Sequence, residues 1–412
     1  MCKTPADIAE SLSFRQLNMF ECVGRLNSLR KASEECRLSQ PAVTQAVAKL
    51  EQLIGIALVD RNASGSYLNA AGEILYRRAA RLFALLENAL VELDVPGGMP
   101  AAAAIARRIS RSQARSLIAL VDGGSFAHAA ETRGLSQTAL QRAARDLEGH
   151  VRKPLYCRTA AGMMVTPAGI ALGRKMKLAT QEIEWGIKEI ETMRGDFASQ
   201  ISIGALPFGG SVLLASILDA FVTSHEHADV KIINEGTSQM LGRLRAGEVE
   251  FVIGLVQETV ADDLTNEAFC ETPYSIVARR GHPLTRRDKI TIDDLLEQDW
   301  VVGTEGASRR ACFERLFAGT SGPRASIATC ALPVIHHLLA RSDRLTLMTS
   351  YELMHEDGDL LPLAFGPIQP LPSIGITMRA NWLPTQLHLD FIDLLRSNVA
   401  GNAGRAVLRQ VV

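Results

Sequence analysis

The sequence predicts a mixed fold, in which two helix-rich segments, each closed by a short hairpin and a long helix, precede a two-lobed α/β region. Three observations predict it. Phe14–Gly72 recurs without a gap, 97 residues on, as Arg111–Gly169, with 17 of 59 paired positions identical; unrelated segments share far fewer, so this is an internal repeat. After each copy, apolar residues recur at alternating spacings of four and three, the signature of a helical seam. From Gln200 onward, short apolar runs alternate with amphipathic stretches, the pattern of strands and helices in an α/β layer. A length of 412 residues fits about three domains.

Within each copy, an apolar helix (Leu17, Phe20, Val23; then Leu117, Leu120, Val121) precedes a short Ala-containing helix and a turn ending in Leu-Ser-Gln. Ser39 and Ser136 are placed to cap the next helix, each hydroxyl accepting an orphan backbone N–H. On a 100° wheel Ala42, Ala46, Leu50 and Leu53 turn inward, whereas Gln40, Pro41, Thr44, Gln45 and Ala48 turn out. The same wheel exposes Gln137, Thr138, Gln141, Arg142 and Arg145 in the second copy. Such a helix can enter a major groove, where Gln pairs with adenine and Arg with guanine. Two merely solvated amphipathic helices would show the same pattern, but a repeated one makes that reading weaker. The copies carry seven basic against five acidic residues and eight against four, although the whole chain has a formal charge of −1.

Ser28-Leu29-Arg30-Lys31-Ala32, Leu38-Ser39-Gln40-Pro41-Ala42-Val43, Leu50-Glu51, Gly55, Leu58, Arg61 and Ala71-Gly72 together resemble the winged helix-turn-helix of LysR-type transcriptional regulators. Ser125-Phe126, Ala129-Ala130-Glu131, Leu135-Ser136-Gln137, Asp146-Leu147-Glu148, Pro154–Thr159 and Val165–Gly169 resemble it again. Two copies depart from the family's usual single one. The resemblance implies winged helix-turn-helix domains at 12–72 and 109–169, with Ser39, Gln40, Pro41, Thr44, Gln45, Ser136, Gln137, Thr138, Gln141, Arg142 and Arg145 facing DNA.

Ala71–Leu93 reads as one helix whose Leu75, Ala79, Leu82, Leu86, Ala89 and Leu93 form a seam able to zip two subunits. Residues 94–108 open on Asp-Val-Pro-Gly-Gly and read as a flexible linker. A second long helix, Ala168–Met193, carries Leu172, Met176, Ala179, Ile183, Ile190 and Met193 along one side and stops at Gly195. Strands at Ile201–Gly204, Val230–Asn234 and Phe251–Leu255, with helices between, form a βαβαβ unit and predict a parallel sheet. A second strand–helix run covers Tyr274–Thr349, and Ser373–Arg379 and Pro384–Arg396 return as a strand and a closing helix. Strings such as Leu244-Arg245-Ala246-Gly247-Glu248, Arg280-Gly281-His282-Pro283-Leu284, Ser342-Asp343-Arg344-Leu345 and Trp382-Leu383-Pro384-Thr385 are similar to the family's periplasmic-binding-protein-like effector domain, the last two most like the galactose-binding-protein-regulator subgroup. Lobe I is thereby expected at 200–271 and 373–412, and lobe II at 272–372, with crossings near Thr272 and Pro372.

Ligands of open α/β lobes sit at the carboxyl ends of strands, against helix N-termini. That rule and the resemblance select Pro207, Ser211, Thr237, Ser238, Thr304 and Ser308 as effector contacts, chemistry suited to a sugar or a small organic acid. Glu305 in the same loop would oppose a carboxylate and tips the balance toward sugars. Enzymatic readings lack a constellation: there is no G-x-S-x-G, P-loop or dinucleotide fingerprint, and no cofactor is implied. His225-Glu226-His227 and His336-His337 have no third ligand at metal spacing. Seven scattered cysteines fit a reducing cytoplasm, and Cys312 with Cys330 forms the one pair worth weighing as a redox sensor. No apolar run reaches the roughly 20 residues of a membrane span. The expected partners are promoter DNA, a small effector, further copies of the chain as a homodimer or homotetramer, and RNA polymerase if the protein activates. A small-molecule binder whose helix-turn-helix copies serve only to pair subunits is the rival from another class.

Overall fold

The computed structural model describes residues 4–62, 65–124, 126–133, 136–159, 162–195, 200–206, 211–256, 260–354, 358–369 and 371–409. The chain divides into two compact units, Met1–Phe197 and Ala198–Val412.

In the first unit one element order occurs twice. A short helix α1 (Pro5–Ser11) leads into α2 (Phe14–Leu26), α3 (Leu29–Glu35) and α4 (Gln40–Ile54), then a hairpin β1–β2 (Val59–Asn62, Gly65–Leu68) and a long helix α5 (Ala70–Glu92). The second pass runs α6 (Gly98–Ala106), α7 (Arg111–Gly123), α8 (Phe126–Arg133), α9 (Gln137–Val151), β3–β4 (Tyr156–Thr159, Gly162–Val165) and α10 (Pro167–Met193).

Identities between the copies mark joints. Glu51 Oε1 accepts the N–H groups of Leu58 and Val59 at 2.9 and 3.3 Å, and Glu148 Oε1 accepts those of Leu155 and Tyr156 at 2.8 and 3.1 Å. Each carboxylate thus ties the start of a hairpin to the preceding helix through charge-assisted bonds. Gly72 and Gly169 are required because a Cβ there would stand 2.0 and 2.4 Å from the carbonyl oxygens of Leu58 and Leu155. Asn69 and Thr166 cap the two long helices, accepting from Gly72 N at 2.9 Å and Gly169 N at 3.1 Å.

Three expectations are corrected. The inward face of α4 is Val43, Ala46, Val47, Leu50 and Ile54, so Ala42 and Leu53 are only half-buried. The α9 face agrees, with Leu140, Ala144, Leu147 and Val151 inside; the packed neighbours, α2 and α3 on α4 and α7 and α8 on α9, set which stripe is covered. Ser136 caps α9 by accepting from Ala139 N at 3.1 Å, but Ser39 makes no such bond; Ala42 N bonds the Ser39 carbonyl instead, and Pro41 at the second helical position has no N–H to offer. Within the expected linker 94–108, Gly98–Ala106 forms α6, which buries Ala102 and Ala106 against α5; its Ala run outweighs the Pro and Gly before it.

The seam also found an unexpected partner. Leu75, Ala79, Leu82 and Leu86 of α5 and Leu172, Met176, Ala179, Ile183 and Ile190 of α10 are buried in one shared core, and α5 on α10 is the most extensive helix pairing in the unit. Met193, expected on the seam, is exposed. Arg78 is embedded beside the seam. Its Nη1 donates to Glu182 Oε2 at 2.7 Å and its Nε to Glu189 Oε1 at 2.8 Å, while its guanidinium stands over Trp185.

In the second unit β5 (Gln200–Ala205), α11 (Ser211–Ser224), β6 (Asp229–Asn234), α12 (Thr237–Arg245) and β7 (Phe251–Val256) form the expected parallel unit in the order β6-β5-β7. The sheet is completed by β8 (Leu264–Glu271), which the sequence reading left out. Lobe II contributes β9 (Tyr274–Arg279), α13 (Ile292–Leu296), β10 (Val301–Val302), α14 (Ser308–Leu316), β11 (Ile327–Ala328), α15 (Leu332–Ala340), β12 (Thr346–Thr349), α16 (Ser350–Met354) and β13 (Leu360–Pro362). The returning β14 (Ser373–Arg379) pairs antiparallel with both β7 and β8, and α17 (Gln386–Arg409) closes the chain. The two crossings lie side by side: Thr272 N donates to the Pro372 carbonyl at 2.8 Å. No helix among the described residues is long and apolar enough to cross a membrane.

One local strain is directly testable. Gly55 ends α4 at φ +82°, while Arg152 ends α9 at φ +55°, the left-handed region that disfavours side chains. Arg152→Gly is expected to raise the stability of the protein by about 1 kcal/mol, read as a higher midpoint in urea unfolding. An unchanged or lower midpoint would refute the strain.

Candidate functional site

Two regions collect the residues singled out by sequence. On α4, Ser39, Gln40, Pro41, Gln45, Ala48 and Lys49 are exposed in a run along one face, and Thr44 is half-buried with its hydroxyl donating to the Gln40 carbonyl at 3.0 Å. On α9, Ser136, Gln137, Thr138, Arg142 and Arg145 are exposed and Gln141 is half-buried. Neither Arg142 nor Arg145 has an ion-pair partner among the described residues, whereas Arg25, Arg78, Arg107 and Arg115 of this unit do. The hairpin β3–β4 adds an exposed Arg158. Leu135 and the hairpin tips lie outside the described residues.

The second region is a cleft of about 660 Å³ in the α/β unit. Of the expected contacts, Thr237, Thr304 and Ser308 line it, as does Glu305. Ser238, the second residue of α12 after its Gly236 cap, is exposed and does not line it. Ser211 opens α11, but its side chain, like Pro207, lies outside the described residues. Thr304 Oγ1 is 3.4 Å from Cys330 Sγ, and the Tyr274 hydroxyl donates to Ser308 Oγ at 3.3 Å. Burial pushes the Tyr274 phenol up, so it stays a neutral donor.

Arg309 escaped the sequence reading. It lines the cleft yet is only 6% exposed, held by an ion pair from Nη2 to Glu352 Oε1 at 2.5 Å. Its Nε and Nη1 are buried with no acceptor among the described residues. Glu352 is anchored in turn by the Thr349 N–H at 2.7 Å. Nothing local in Ser308-Arg309-Arg310 distinguishes Arg309, because its partner arrives from 43 residues away. Cys312 and Cys330 both line the cleft, but burial raises the Cys312 thiol to about 11, away from the thiolate. His225 stacks on Phe221 and lies 3.2 Å from Asp390, so one member of the His-Glu-His string is engaged in packing.

The LysR-family bacterial regulatory helix-turn-helix model matches twice, at residues 14–73 and 112–170, and the LysR substrate binding domain matches residues 194–400. The chain is 29% identical over 400 residues to the HTH-type transcriptional regulator GalR of Pseudomonas putida, spanning 94% of this chain and 98% of that protein. It is 26% identical to the HTH-type transcriptional regulator GbpR of Rhizobium radiobacter over 53% of this chain and 74% of that one. A full-length OxyR of Pseudomonas aeruginosa shares the fold with a TM-score of 0.51 at 18% identity, covering 70% of this chain and 93% of that chain. With a DNA-binding helix-turn-helix and an effector-binding α/β domain in one chain, the protein belongs to the LysR family of transcriptional regulators.

Proposed function

We propose that both copies are winged helix-turn-helix modules, that α4 and α9 read promoter DNA, and that a small organic acid bearing hydroxyl groups occupies the α/β cleft. The two matches of the helix-turn-helix model, one on each copy, carry the DNA part. The joints at Glu51 and Glu148 and the caps at Asn69 and Thr166 support it, since neither copy has lost what holds its hairpin to its helices. Gln40, Pro41, Thr44 and Gln45 of the first copy form a reader of amides and hydroxyls. Gln137, Thr138, Gln141, Arg142 and Arg145 of the second add guanidinium forks, which match guanine or grip a phosphate. Ser39 and Ser136 sit at the helix N-termini, where backbone N–H groups favour a phosphate. The protein works in the cytoplasm, as an oligomer on its promoter, and meets RNA polymerase there if it activates.

The ligand class rests on Arg309. Two buried donor nitrogens without an acceptor cost about 1–3 kcal/mol each, and a carboxylate entering the cleft would supply the missing acceptor. Thr237, Thr304 and Ser308 then address its hydroxyl groups. This reverses the weight that Glu305 gave to sugars, since Glu305 is exposed whereas Arg309 is buried. A thiol-based sensor is the second reading, favoured by Cys312 and Cys330 in the same cleft and opposed by the raised Cys312 thiol.

For the ligand, thermal unfolding of the full-length protein with hydroxy acids and with neutral sugars gives the test. A cognate acid at one hundred times its Kd should add about 2.7 kcal/mol. Thr237→Val, which leaves the Arg309–Glu352 pair intact, should abolish most of that gain. Stabilisation by sugars alone, or by acids equally in Thr237→Val, would exclude this site and class. For the DNA, Arg142→Ala should weaken specific binding by roughly 1–3 kcal/mol. If Arg142 reads guanine the loss will be confined to specific sequence. A uniform loss with a shallower salt dependence identifies a phosphate contact, and no loss at all removes α9 from the interface.

A further inference from the structure

The way the two copies meet has the symmetry of a dimer. The short helix before each copy packs on the long helix of the other, α1 on α10 and α6 on α5. Contacts recur with both residues shifted by 97 and the direction exchanged. Arg78 with Glu189 matches Lys175 with Glu92, and Asn18 with Arg107 matches Arg115 with Glu10. A residue that touches its own repeat mate must lie near the axis, and Arg111 stacks on Phe14, its mate, at 4.9 Å. The contacts have also diverged in compensating pairs. Tyr76 fills the space over Gly24, where a Cβ would come within 2.6 Å of the ring; at the mated positions Val121 fills the space over Gly173, where a Cβ would come within 2.7 Å.

We propose that one chain carries a complete two-reader DNA head, the second copy standing where a second subunit would stand, and that this head reads one operator made of two unlike half-sites. The proposal rests on the reading of α4 and α9 as DNA readers. Two identical subunits related by a dyad present the same residues twice and demand a palindrome. Here the mated positions differ in chemistry: Gln45 stands opposite Arg142, Ala48 opposite Arg145 and Pro41 opposite Thr138. One half-site is therefore met by amides and hydroxyls, which favour adenine, and the other by guanidinium groups, which favour guanine. Pairing within the chain also consumes the α5 and α10 seams, leaving any association between chains to other surfaces.

Zero-length carbodiimide coupling of the full-length protein tests the pairing, because Lys175 Nζ lies 3.1 Å from Glu92 Oε1 and Lys153 Nζ lies 3.3 Å from Asp94 Oδ2, all on the surface. After separation on a denaturing gel, both coupled peptides should be found in the single-chain band by mass spectrometry. Their confinement to the double-chain band would overturn the proposal. Footprinting the full-length protein on its own promoter tests the reading: Arg142→Ala should weaken one half-site roughly 5- to 150-fold and spare the other, and Gln45→Ala should do the reverse. Equal weakening of both halves by either variant would overturn the two-half-site assignment. Single-chain coupling together with no sequence-selective DNA binding would instead sink the DNA-reading role while leaving the internal pairing in place.

Discussion

The N-terminal unit depends on one requirement, the burial of two apolar helix seams. Neither α5 nor α10 could stand alone in water, since each fully buried Leu or Ile represents about 1.5–3 kcal/mol of transfer free energy, and Leu75, Leu82, Leu86, Leu172, Ile183 and Ile190 are all inside. Each seam satisfies the other. Both copies consequently share a single core running from Ile8 to Ile190, and α6, which the composition marked as linker, becomes part of the wall. Arg78 raises the stakes, because removing one member of a buried, hydrogen-bonded ion pair costs more than the pair contributes. The seam is specified by shape and by charge together.

Fusing two repeats relieves a constraint that identical subunits cannot escape. In a homodimer every change appears on both sides of the axis, so a larger side chain must be accommodated twice. Within one chain, Tyr76 over Gly24 and Val121 over Gly173 solve the same packing problem with different volumes, and Arg107–Asn18 and Arg115–Glu10 solve the same polar contact with different charges. The exposed faces of α4 and α9 are free to differ for the same reason. What has not diverged is the backbone machinery: Glu51 and Glu148 hold their hairpins alike, and Gly72 and Gly169 leave the same room for a carbonyl.

In the α/β unit the corresponding constraint is the paired crossing. Thr272 joins Pro372 through the backbone, and its hydroxyl accepts from Tyr351 N at 3.0 Å, so the links between lobes are tied to α16. The next residue of α16 is Glu352, which holds Arg309 at the cleft. An acceptor delivered to Arg309 would therefore act on the helix anchored beside both crossings.

The repeat, the strand–helix alternation, the long helices and the crossings were legible in the sequence because each is written in local periodicity or in self-similarity. The outward Gln45, Arg142 and Arg145 could be read the same way, since helical geometry alone suffices for them. Tertiary structure decided the rest. An apolar seam records that a helix needs a partner but not which one, so only the fold could show that α5 faces α10 of the same chain. The wheel of α4 was misphased at its edges because neighbouring α2 and α3 choose the covered stripe. Ser238 and Arg309 were placed by the fold in the same way: Ser238 is exposed and lies off the cleft lining, and Glu352, distant in sequence, holds Arg309 buried at the cleft.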